Sequence, residues 1–212
     1  MAPVLNFLRP SNYLAGRVIL ERLLDFYLFG EKQLISLASF NPRVNSFRFS
    51  SQNETHLRYL LRRCPWWIAG HLELGFIELG LGELNSDKAG SLRSIGAAKL
   101  SAEAARKLLG PIHLITKGRK LKLHLRARVL DGFVLAHTRR FEESLDVLKN
   151  VLALNNAMLI PKGLLFKALE TAANSAYLTG NGNLALEYFK RVPEDKRSRE
   201  GLLIMQALKT EV

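Results

Sequence analysis

Along most of the chain, apolar residues recur at steps of three and four, the period of helices that bury one face. The pattern is broken at short polar or Gly/Pro points. Pro10-Ser11-Asn12 opens a helix that runs to Phe29, and Gly30 can end it. A second, short helix fits residues 31–39. A mostly polar stretch runs from Phe40-Asn41-Pro42 to Asn53, with Phe47 and Phe49 as apolar points within it. It reads as a linker. Asn53 or Thr55 then caps a helix through Arg63, and Pro65 opens another that continues to about Leu81. Asp87 caps a helix reaching Lys99. Ser101 starts a separate short helix, which Gly110-Pro111 terminates. Further helices are expected over 125–139, 142–154, 162–179, 183–191 and 194–208.

One segment has a different period. From Lys120 to Val129 every odd position is apolar, as in a strand. A single strand among helices would leave its backbone groups without partners. The expectation is therefore a helix packed between neighbours on two sides.

The later part of the chain resembles itself. Phe141, Ser144, Leu145, Leu148, Val151 and Leu152 stand 41 residues before Gly182, Ala185, Leu186, Phe189, Val192 and Pro193. At the same spacing Gly132 and Leu135 precede Ala173 and Ala176. Each unit has a small residue in one helix, a short turn, and then a small, an apolar and a bulky residue on the next. Small residues at these places let two helices cross closely, and a bulky residue fills the space beside the crossing. Residues 130–154 and 171–192 resemble the tetratricopeptide repeat in this respect. The hairpin at 66–99 is a poorer match, with Gly75, Leu79 and Ala89 only near the family's positions. The spacing of 41 exceeds the ~34 residues of that family, and the large aromatic at the start of its motif is missing from both late units. The resemblance implies an all-α fold of antiparallel helix hairpins, stacked as a short tetratricopeptide-like solenoid over 53–212. Residues 1–52 form an N-terminal helical segment and linker. A stack of this kind carries a concave groove that takes peptides or helices.

Composition changes the picture mainly through charge. The 212 residues carry 31 Lys and Arg against 19 Asp and Glu, a net +12. Eight of the cations lie between residues 111 and 140 with one carboxylate, Asp131, while residues 141–212 are neutral. More than half of the net charge therefore sits in 30 residues. Buried, these groups would lose their solvation. Lys117, Arg119, Lys120, Lys122 and Arg126 are accordingly expected to form an exposed cationic surface that meets an acidic partner.

Candidate chemistry is sparse. Cys64 is the one cysteine, so no intramolecular disulfide can form, and its expected role is a small apolar filler. The five histidines show no metal spacing; His71-Leu-Glu73 lacks the second histidine of a metalloprotease helix. Gly75, Gly80 and Gly82 do not make a dinucleotide fingerprint. Glu73, Glu78 and Glu83 recur every five residues, which spreads them around a helix rather than pairing them. Adjacent Trp66 and Trp67 should point apart, one into the core. Arg17, Glu21, Arg22 and Asp25 interrupt the apolar stretch 13–29 and exclude a spanning helix. Arg9 and Arg17 without an acid weakly resemble a mitochondrial transit peptide.

These readings point to a non-catalytic protein-binding scaffold or assembly factor, cytoplasmic and without cofactor or metal. Its expected partner is a protein with an acidic face. Two alternatives stay open: a structural RNA-associated subunit of a ribonucleoprotein, and a peripheral adaptor on an anionic membrane; the alternative location to the cytoplasm is mitochondrial or at a membrane periphery.

Overall fold

The three- and four-residue apolar steps are realised as helices. The computed structural model describes residues 51–84, 86–110, 118–153 and 157–210. They belong to one packed unit, Ser46–Val212. The two helices expected within residues 1–39, and most of the linker, lie outside the described residues. Among the described residues eight α-helices follow one another: α1 (Ser51–Arg63), α2 (Ile68–Leu84), α3 (Lys88–Leu109), α4 (Gly118–His137), α5 (Phe141–Leu152), α6 (Lys162–Leu178), α7 (Gly182–Lys190) and α8 (Arg199–Thr210), with a 3₁₀ turn at Glu194–Lys196 before the last. No strand occurs among the described residues, and the fold is all-α.

Each helix packs on its successor, and α4 also touches α2 and α6. The antiparallel sense of the pairs follows from which residues stand level. In α2 and α3, Gly75 lies against Ala98 and Ser101, and Gly82 against Ser94 and Ile95, so one helix rises as the other falls. In α4 and α5, Gly132 lies against Leu148, and the Ser144 hydroxyl donates to the Gly132 carbonyl at 2.8 Å. One continuous core runs through these layers, from Leu72 and Leu79 through Leu130 and Phe133 to Leu169 and Phe189.

The 41-residue spacing is visible bond for bond in two turns. Thr138-Arg139-Arg140 joins α4 to α5, and Thr179-Gly180-Asn181 joins α6 to α7. In the first, the Arg139 and Arg140 amides donate to the carbonyls of Ala136 and Leu135 at 3.0 and 2.9 Å. In the second, the Gly180 and Asn181 amides donate to Tyr177 and Ala176 at 3.0 and 2.8 Å. Both threonine hydroxyls bond back to carbonyls three and four residues earlier. The middle residue is left-handed in both, at φ +62° for Arg139 and +80° for Gly180. This pair of bonds satisfies the last carbonyls of a helix and reverses the chain within three residues. Beyond each turn the equivalent positions are filled alike: Ser144 and Ala185, and Leu148 and Phe189, have no exposed surface.

Several boundaries differ from those expected: α2 ends three residues later, α4 starts at Gly118 rather than Leu125, and two further differences have a visible cause. α3 is one helix of 22 residues, without a break at Leu100-Ser101. Asp87 caps it, its carboxylate accepting from the Ala89 and Gly90 amides at 3.2 and 2.9 Å, and Gly110 ends it at φ +74°. Ser101 reads as a cap in the sequence, but its hydroxyl is spent on a side chain of α2 (Glu78, 2.9 Å). At the other end, α8 starts at Arg199 rather than Glu194, because the chain first closes a 3₁₀ turn after Pro193. The segment with strand-like alternation is the first half of α4, as expected. Leu125, Ala127 and Val129 are all buried because α4 is enclosed by α2, α3, α5 and α6.

Candidate functional site

The five cations expected to form one exposed surface do not share a fate. Lys117 lies outside the described residues. Arg119 and Lys120 belong to the first turn of α4, where only the backbone is described. Lys122 is exposed on the same helix. Arg126 is not on an open surface: its side chain is only 13% exposed and pairs with Glu73 of α2. Its guanidinium also lies 5.9 Å from the ring centre of Phe76. The expectation of exposure assumed Asp131 as the sole counter-ion. The fold supplies a carboxylate 53 residues away, which local sequence does not show.

That carboxylate is one of three that α2 sends to different neighbours. Glu73 meets α4. Glu78, 2% exposed, accepts from Arg58 of α1 and from Ser101 of α3. Glu83 accepts from Lys167 of α6 at 2.9 and 3.0 Å and lies 3.0 Å from His137 of α4. Steps of five residues turn each carboxylate about 140° from the last, so one helix can ion-pair with three others and accept a hydrogen bond from a fourth. Burial pushes the Glu78 carboxyl up, to about 7, against the opposing pull of Ser101 and Arg58. Burial acts on Glu83 in the same direction, but the bond from His137 and the charge of Lys167 outweigh it and hold it at about 2. The signal in the sequence was three acids inside a helix that is otherwise apolar all round. A carboxylate there needs a partner: Glu73 and Glu78 are buried, and Glu83, at the end of the helix, is partly exposed.

A second polar group sits between α3 and α4. His124 is 7% exposed, with no hydrogen-bond partner at Nδ1, and burial followed by the charges of Arg128 and Arg106 lowers its pKa. Asp131 stands 3.4 Å from Arg106 Nε. Burial raises the Asp131 pKa against the pull of that arginine. The imidazole is therefore neutral and structural in character.

Between α1 and α3, over the floor made by α2, lies an open cleft of about 350 Å³. Leu61, Leu74, Leu100 and Ala104 line it, with Arg58 and Arg62 at its edge and Glu78 at its base.

The remaining candidates are structural. Cys64 directly follows α1 and is buried, and burial raises its thiol pKa. Trp67 has no exposed surface and lies directly beneath Gly70, where a Cβ would come within 2.2 Å of its ring. Trp66 is half-buried, so the two rings do diverge, although both precede α2 rather than lie within it. His71 Nε2 lies 2.8 Å from the Pro65 carbonyl. Among the described residues no three His, Cys, Asp or Glu side chains are grouped as metal ligands, and no helix is long and apolar enough to cross a membrane. The chain matches no protein-family model, no curated protein and no solved structure.

Proposed function

We propose that this chain is a non-catalytic protein-binding scaffold built of tetratricopeptide-like helix hairpins, working in the cytoplasm without cofactor or metal and contacting an acidic protein partner through the basic start of α4. The observation that supports it best is the equivalence of the turns at Arg139 and Gly180, 41 residues apart, with small residues at each crossing. Two hairpins closed in the same way can stack by the same rule, which is how helical-repeat scaffolds present an extended face. The cationic residues are Lys117, Arg119, Lys120 and Lys122. Arg126 is withdrawn from the set, since Glu73 already neutralises it.

The test is affinity purification of the whole protein at low and high salt, beside a variant with Arg119, Lys120 and Lys122 changed to Glu. A protein partner kept at low salt, and lost both at high salt and in the variant, supports the reading. Recovery of RNA that nuclease removes, with no protein, overturns it in favour of the ribonucleoprotein alternative. That alternative draws on the same charge. It lacks an aromatic platform within that basic segment, because Phe133, the one aromatic of residues 111–140, is 2% exposed.

A further inference from the structure

An open cleft lies over α2, and α3 presents an apolar face to it. Ala97, Leu100 and Ala104 line the cleft at steps of three and four residues, and the same step reaches Leu108. Leu100 is 68% exposed and Leu108 39%. An exposed leucine alone means little. Here two leucines flank an alanine on one face, opposite Leu61 of α1 and above Leu74 of α2. Alanines at 97 and 104 leave room for a side chain from outside to descend between α1 and α3. From Ala97 to Leu108 the face runs about 16 Å, three helical turns.

Its exposed edge is cationic. Arg58 and Arg62 edge the cleft one turn apart on α1, and His71 stands on α2. The one carboxylate within it, Glu78, is buried at the base and held by Arg58. Helical spacing puts Arg93 and Lys107 beside the α3 face, and both are exposed. Among the described residues Arg62, Arg93 and Lys107 form no ion pair with an acidic side chain. Glu103 lies towards α4, where it acts on Asp131.

We infer that the trough between α1 and α3 is a docking site for an acidic amphipathic helix of a partner protein. Its apolar residues, at i, i+3, i+4 and i+7, would fill the space around Leu100 and Ala104, and its carboxylates would face Arg62. The inference rests on the scaffold reading but uses a surface separate from the start of α4. Apolar floor and cationic edge together select this occupant: a cationic helix would meet like charge, and a bare phosphate would find a leucine floor.

The probe is a synthetic three-turn helical peptide with leucine at i, i+3, i+4 and i+7 and glutamate on its flanks. Its controls are a scrambled peptide and one with lysine in place of glutamate. Binding to the full chain is measured by fluorescence anisotropy. The acidic peptide should bind at micromolar concentration, at least tenfold tighter than either control. Arg62→Glu should weaken it about tenfold and Leu100→Asp should abolish it. Leu100 is exposed, so its variant should fold, and circular dichroism with melting checks this. Ala104→Phe, which fills the trough without altering charge, should weaken binding as well. The Arg119, Lys120, Lys122→Glu variant should bind the peptide unchanged, which separates this site from the basic start of α4. No binding by the acidic peptide, or binding indifferent to Arg62 and Leu100, overturns the inference. So does a wild-type dimer that Leu100→Asp turns into a monomer, since the face would then cover a second copy. Leucine-dependent sedimentation with phosphatidylserine vesicles in place of peptide binding overturns it too.

Discussion

Arg139 is a non-glycine residue at φ +62°, in the place its equivalent turn gives to Gly180. A Cβ in this left-handed region costs about 1 kcal/mol or more. Arg139→Gly should therefore raise stability by about 1 kcal/mol, read as a higher melting temperature. Gly180→Ala should lower it by about as much, although no neighbouring atom stands in its way. The inward arginine makes a stronger claim. Arg126→Ala takes a part-buried cation from the buried Glu73 carboxylate, at a cost of about 3 kcal/mol. Chemical denaturation measures this; a loss below half that figure would mean the arginine is free to leave its partner. Glu78 carries a pH dependence of defined sign. Its carboxyl ionises near 4.5 in the unfolded chain and near 7 in the fold. Between those values the folded state holds the proton more tightly, so stability falls as pH rises from 4.5 to 7, by about 3 kcal/mol. Urea unfolding at pH 5 and pH 8 should show that loss in the wild type and much less of it in Glu78→Gln. Arg58, Glu54 and Ser101 act on Glu78 in both conditions. Glu83 works in the opposite sense: its depressed pKa contributes stability above pH 4.5 that is lost as pH falls towards 2.

Helices meet here through small residues, and the sequence pattern alone shows that rule. Gly132 was singled out as a crossing point by its spacing from Ala173. A Cβ on it would stand 2.6 Å from Leu148 Cγ, so the crossing leaves no room for a side chain. Gly132→Leu, and Ala173→Leu at the equivalent place, should each overpack and cost about 1–3 kcal/mol, lowering the melting temperature. Unchanged melting in both would mean the crossing can open without loss. The sequence also located the breaks at Pro65, Asp87 and Gly110, since caps and breakers act within one turn of where they stand. It misplaced the start at Ser101, because serine has two uses. The hydroxyl can cap a helix or pair with a buried acid, and the choice depends on Glu78, 23 residues away. The ion pairs were hidden for the same reason. Five-residue spacing showed that Glu73, Glu78 and Glu83 diverge, but not that Arg126, Arg58 and Lys167 would meet them. The trough over α2 needs three helices in place before it exists, and no local pattern announces it.

At the scale of the whole molecule the charge divides into two kinds. Some cations are consumed by the fold: Arg126 by Glu73, Arg58 by Glu54 and Glu78, and Lys167 by Glu83. These hold α1, α4 and α6 onto α2, and their removal is felt as stability. The other kind, which includes Lys122, Arg62, Arg93 and Lys107, is exposed and forms no ion pair with an acidic side chain among the described residues. Net charge of +12 overstates nothing about solubility, but only this second kind can meet a partner. The two kinds are separable by experiment. Changing Arg119, Lys120 and Lys122 to Glu reverses three charges at the start of α4 and so shifts the net charge from +12 to about +6. If these side chains only face solvent or a partner, the melting temperature should move little, since single surface charges count for ~0–1 kcal/mol. Partner binding should fall steeply, and the remaining binding should depend less on salt than in the wild type. Parallel losses of melting temperature and binding would mean that the start of α4 is packed like Arg126, and that the contact surface lies elsewhere.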